Sequence, residues 1–139
     1  MSNMTCHCGS LISNVQYPSP TEGDIRTERD LEIYESRIEK AIASFLLAVA
    51  AGSRDNWITE FFGPDYSKDL SNASLIADIR IIFEREYLLS VCECQNCGRL
   101  YIQKIPGKNE YVCFEPRSGT YEAILERKGA DQNHPADRD

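Results

Sequence analysis

Cys94-Gln95-Asn96-Cys97-Gly98-Arg99-Leu100-Tyr101-Ile102 is the stretch whose reading decides the fold. In a Cys-x-x-Cys-Gly turn the backbone N–H groups point back at the two sulfurs. The closing Gly takes a left-handed conformation that a side chain disfavours. The same two cysteines could serve redox chemistry, but that use wants the motif opening a helix in a βαβ unit. Here the flanks alternate with a period of about two. Leu89-Ser90-Val91-Cys92-Glu93 reads as a strand entering the turn and Leu100-Tyr101-Ile102-Gln103-Lys104 as the strand leaving it. Pro106-Gly107-Lys108-Asn109 then makes a turn, and Glu110-Tyr111-Val112-Cys113-Phe114 returns antiparallel. The pattern predicts a small antiparallel ribbon with a metal-binding knuckle.

A knuckle supplies two ligands, and a tetrahedral metal wants four. The other two lie at the far end of the chain, in Cys6-His7-Cys8-Gly9, followed by the extended piece Ser10 to Val15. This turn is one residue shorter, so its geometry is tighter. Four thiolates from Cys6, Cys8, Cys94 and Cys97 point to one structural Zn²⁺ with no open coordination position. His7 is an alternative ligand, although a residue between two ligands normally points away from the metal. Cys92 lies two residues before Cys94 and competes with it. Otherwise Cys92 and Cys113 read as small buried hydrophobes.

Between the two knuckles the period is helical. Tyr17 to Gly23 reads as a loop by its prolines and glycine. Thr27-Glu28-Arg29-Asp30 fits a capping box. Leu31, Tyr34, Ile38, Ala41, Ile42, Phe45, Leu46 and Val49 form one apolar face that Gly52 ends. A second helix is predicted from Arg54 to Phe62, a polar connection from Asp65 to Asn72, and a third helix from about Ser74 to Tyr87. Leu75, Ile76, Ile79, Ile82 and Phe83 are the third helix's buried face. Thr120 to Glu126 adds a short strand or helix. The expected fold is α+β, a helical middle packed on a small antiparallel zinc ribbon that the N-terminal Cys-x-Cys knuckle completes. The expected organisation is one domain over residues 1–128 and a disordered polar tail over 129–139.

Charge and composition narrow the function. The chain of 139 residues is 42% hydrophobic and 27% charged, as ordinary globular proteins are. Its N-terminus lacks the basic and apolar regions of a secretory signal, and its longest apolar stretch, Ala41 to Ala51, is too short to span a bilayer. A cytoplasmic location without membrane attachment follows, and there paired cysteines read as metal ligands and not as disulfides. The net charge of −7 argues against a phosphate backbone as partner. No Gly-rich phosphate loop, His-Glu-x-x-His helix or Gly-x-Ser-x-Gly elbow is present, so no enzyme is expected.

One further stretch stands out. Trp57, Phe61, Phe62 and Tyr66 are interleaved with Asp55, Glu60, Asp65 and Asp69. The aromatics either cap the core between the longer helices or form an acidic-aromatic recognition surface, with Asp55, Glu60, Asp65, Tyr66 and Asp69 as its contacts. Such a surface suits a basic protein. The order Cys-His-Cys-Gly, then Trp57-Ile58-Thr59-Glu60-Phe61-Phe62-Gly63-Pro64-Asp65-Tyr66-Ser67-Lys68-Asp69-Leu70-Ser71, then Cys94 to Ile102 resembles a group of small bacterial zinc-ribbon proteins over residues 4–115. The resemblance implies zinc at Cys6, Cys8, Cys94 and Cys97. It also implies an immunity protein that neutralises a cognate toxin of a polymorphic toxin system. The alternative from a different class is a zinc-ribbon nucleic-acid-binding or transcription-associated module, with Arg99, Lys104, Lys108 and Arg117 on phosphates.

Overall fold

The structure, a computed structural model, describes residues 3–13, 15 and 19–126. The fold is α+β. Its elements are β1 (Met4–Thr5), β2 (Leu11–Ile12), β3 (Glu22–Ile25), α1 (Glu28–Ala50), α2 (Arg54–Phe62), α3 (Asn72–Tyr87), β4 (Leu89–Glu93), β5 (Leu100–Gln103) and β6 (Tyr111–Phe114). The chain forms two compact units. One is continuous, from Arg26 to Leu88, and is helical. The other joins the described residues up to Ile25 with those from Leu89 to Glu126, and all the strands among the described residues lie in it.

In the helical unit, the Thr27 hydroxyl caps α1 by accepting the Asp30 N–H at 3.1 Å. At the other end Gly52 N–H reaches Val49 O and Ser53 N–H reaches Ala48 O, the paired bonds of a Schellman stop. Tyr34 and Phe45 are buried as the periodicity requires, with Ile38, Ala41, Ile42 and Val49 packed beside them. Leu46 is not on this face: it is 50% exposed, because the buried stripe passes through Phe45 and Ala48 and turns Leu46 outward.

On α3 the buried positions are Leu75, Ile79 and Phe83, one every fourth residue. That helix begins earlier than the apolar pattern indicates. Ser71 accepts the Ser74 N–H at 3.1 Å, so Asn72 is already helical and not part of the connection. The connection itself is held by Arg54. Its guanidinium donates to Lys68 O and Asn72 Oδ1 at 2.8 Å each, and to Leu70 O.

The strand unit contains a two-stranded hairpin, β1–β2, and a four-stranded antiparallel sheet in the order β3-β4-β5-β6. Strand β3 is absent from the sequence reading, which placed Glu22 and Gly23 in a loop. They instead extend from Glu22, opposite Cys92, to Ile25, opposite Leu89. Gly23 is tolerated in a strand because Val91 Cγ1 and Leu125 Cδ2 lie just beyond where a Cβ would sit, so a close neighbour fills its place. In the N-terminal extended piece Leu11 and Ile12 pair with Thr5 and Met4, and Asn14 lies outside the described residues. Thr120 to Glu126 forms turns and not a strand or helix. The sequence expectation for residues 129–139 lies outside the described residues. Among the described residues, no helix is long and apolar enough to cross a membrane.

Candidate metal centre

Two hairpins present the cysteines, and both close in the same way. In the first, Cys6 N–H donates to Ser10 O at 2.8 Å and Gly9 N–H to Cys6 O at 2.9 Å. In the second, Cys94 N–H donates to Arg99 O at 2.9 Å and Gly98 N–H to Cys94 O at 2.7 Å. The frames match although the first is one residue shorter, so the missing residue leaves the ligand positions intact. Gly98 is needed twice over. Its φ is +73°, and a Cβ there would lie 2.2 Å from the carbonyl oxygen of Thr120.

The four sulfurs converge. Cys6 Sγ is 3.5 Å from Cys97 Sγ, Cys8 Sγ is 3.7 Å from Cys94 Sγ, and all four lie within 4.8 Å of one another. These separations far exceed the roughly 2.05 Å of a disulfide. The cysteines are free thiols on a common point, an arrangement that could hold a metal ion. The fit is supported by the surroundings. Tyr101 donates its hydroxyl to Cys6 Sγ at 3.3 Å and accepts the His7 N–H at 2.9 Å. Asn96 Nδ2 is 3.5 Å from Cys8 Sγ, and Arg99 Nη1 is 3.4 Å from Cys97 Sγ while its Nη2 holds Glu115 at 2.7 Å. The N–H groups of Cys97 and Asn96 face the fourth sulfur, that of Cys94. Donors aimed at every sulfur favour thiolates over thiols, as metal-bound cysteines require.

The acidities carry the imprint of this arrangement. Asn96 first, then Ser10, hold the exposed Cys8 thiol down to about 5. Burial pushes the Cys6 thiol up, but the Cys8 N–H and the Tyr101 hydroxyl together bring it below its ordinary value. Burial dominates at Cys94 and pushes its thiol up to about 12. A cation at the centre would remove that burden by making the charged form the favoured one.

The other sequence candidates are placed differently. Cys92 is buried on the same face of its strand but outside the four-sulfur group; burial, and after it the Glu22 charge, pushes its thiol up to about 11. Cys113 is half-buried against the same cluster. His7 also stands outside the group, its ring edge-on to Tyr101 with centroids 5.8 Å apart.

In the helical unit Asp55, Glu60, Asp65 and Asp69 are exposed. Tyr66 is half-buried instead. It stacks on Phe62 at 4.1 Å and donates its hydroxyl to Asp78. Trp57 is also half-buried, stacked on Phe61 at 4.6 Å with its indole N–H on Ser44 Oγ at 2.8 Å. The aromatics therefore belong to the core and its rim, and the acids surround them. Of the bases in the nucleic-acid alternative, Arg99 is tied to Cys97 and Glu115, and Lys104 sits 3.9 Å from Glu110.

The ring of donors is what sequence reasoning missed. Tyr101 alone carried a usable signal, because it pairs across the sheet from Cys92 and so shares the face of the cysteines. A family model described as Domain of unknown function (DUF8617) matches residues 2–118, a span that includes all four clustered cysteines, and the chain belongs to that family. No curated protein and no solved structure matches the chain.

Proposed function

We propose that this DUF8617 member carries one structural Zn²⁺ on Cys6, Cys8, Cys94 and Cys97 and acts as a non-catalytic protein-binding module. A Zn–S distance of about 2.3 Å puts tetrahedral sulfurs about 3.8 Å apart, which the 3.5 and 3.7 Å separations approach. Four thiolates complete the coordination of zinc, so the ion supplies a cross-link and no site for substrate. Reduced thiols of this kind suit the cytoplasm.

The observation that carries protein binding is the exposed acidic set Asp55, Glu60, Asp65 and Asp69 on a chain of net charge −7. Such a surface repels a phosphate backbone and attracts a basic protein. The resemblance to small bacterial zinc-ribbon proteins gives the reading its specific form: an immunity protein that neutralises a cognate toxin by covering a basic cleft.

The test is co-purification with the product of the neighbouring gene, and rescue of cells that express that product. Asp65→Lys with Asp69→Lys should weaken the complex, and its association should slow as salt screens the charges. Absence of any complex, together with salt-sensitive micromolar binding to mixed DNA or RNA, overturns the reading in favour of a nucleic-acid module.

A further inference from the structure

The register of the four-stranded sheet separates its two faces. Cys92, Tyr101 and Cys113 share the face of the sulfur cluster, whereas Val91, Glu93, Leu100, Ile102, Val112 and Phe114 share the other. The residues after β6 cross this second face. Thr120 approaches Gly98, and the Leu125 N–H donates to Glu93 Oε2 at 3.3 Å. Here lies a cavity of about 290 Å³ lined by Leu100, Phe114, Pro116 and Ile124, with Glu93 and Arg117 among its charged lining residues.

Glu93 is 2% exposed. An ionised carboxylate offers about four acceptor sites, and one backbone N–H occupies one of them here. Among the described residues no Lys or Arg lies within ion-pair distance of it. A buried carboxylate is relieved of part of the cost of its burial when a ligand brings a cation to it. Apolar side chains form part of the wall, acids outnumber Arg117 among its charged residues, and Phe114 is 51% exposed. An aliphatic stem ending in a cation matches that combination, the stem lying on apolar walls and the head on the carboxylate or over the ring. The volume is at the lower edge of small-molecule sites, which run from about 300 Å³ upward, and so suits a single side chain.

We propose that this cavity takes one Lys or Arg side chain of the partner protein and pairs it with Glu93. The proposal deepens the protein-binding reading and rests on it for the identity of the ligand. Nuclear magnetic resonance titration of the full metal-loaded chain tests the cavity without the partner, using n-butylammonium and n-butylguanidinium as probes and n-butanol as the neutral stem. The cations should give saturable shifts at the Leu125 amide and at the Leu100 and Ile124 methyls, and butanol should not. Glu93→Gln keeps an oxygen for the Leu125 N–H and should weaken cation binding roughly tenfold or more, with metal content unchanged.

Equal shifts with butanol, no saturable shift with either cation, or a Glu93→Gln chain that binds like the wild type would each overturn the cavity. The second arm measures the partner complex. The same substitution should weaken it by a similar factor. A complex untouched by Glu93→Gln sinks this proposal while leaving the protein-binding reading intact, and failure of that reading would show as no complex at all.

Discussion

The helical unit buries Tyr34, Phe45, Ile58, Leu75, Ile79 and Phe83 together, all of them large side chains brought from three helices. In the strand unit the buried cluster is Cys6, Ile12, Cys92, Cys94 and Tyr101, of which three are cysteines. Their local signals differ as much as their cores. Side-chain caps on Thr27 and Ser71 start two of the helices, while strands of two to five residues carry the other unit. Apolar burial stabilises in proportion to area. The helical unit therefore has what a small core needs, and the strand unit needs a cross-link. The metal proposed on the four cysteines would supply that cross-link.

The largest effect expected is on the cross-link. Structural zinc contributes on the order of 10 kcal/mol or more of folding free energy in small metal-bound peptides. Elemental analysis should therefore find one zinc per chain in the wild type and none in Cys97→Ser or Cys8→Ser. Hydrogen exchange should then show β1, β2, β4 and β5 opening while α1 and α3 stay protected. Metal-free protein with full protection in the strands would break the comparison. Zinc kept after Cys8→Ser and lost after Cys92→Ser would keep the cross-link but change its ligands.

A smaller effect is expected in the helical core. Phe45 is fully buried, and Phe45→Ala should lower the unfolding free energy by about 3–5 kcal/mol with zinc content unchanged. Trp57→Ala should cost less, about 3 kcal/mol, because Trp57 is only partly buried against the same cluster. Chemical denaturation followed with metal analysis on the same samples separates the two units. Zinc released by Phe45→Ala under native conditions would mean that the units do not stabilise themselves independently.

The smallest effect sharpens the role of the remaining thiols. Cys92→Ala and Cys113→Ala should keep the metal and cost on the order of 1 kcal/mol each. In the folded, metal-loaded chain Cys92 should react slowly with thiol reagents, since burial pushes its thiol up to about 11 and the thiolate is the reactive form. Fast modification of Cys92 would show that the strand face is open.

Much of this molecule is legible by itself in the order of its residues, wherever a signal is local. The Cys-Gly turns, the Thr27 cap, the apolar stripes of α1 and α3 and the hairpin β4–β5 each depend on residues within a few positions of one another, so spacing is enough to read them. Tertiary structure alone decided the rest. Strand β3 exists because β4 offers it a partner far along the chain, and nothing inside Glu22–Ile25 announces it. The two Cys-Gly turns already single out Cys6, Cys8, Cys94 and Cys97, but that their sulfurs meet depends on two hairpins coming together. The donors from Tyr101 and Asn96 to the sulfurs of Cys6 and Cys8 come from that meeting too, whereas Arg99 reaches Cys97 within its own hairpin. Likewise Glu93 reads as an ordinary strand acid until the residues after β6 bury it. Burial and convergence are properties of contacts between distant segments, and a pattern read along one segment cannot contain them.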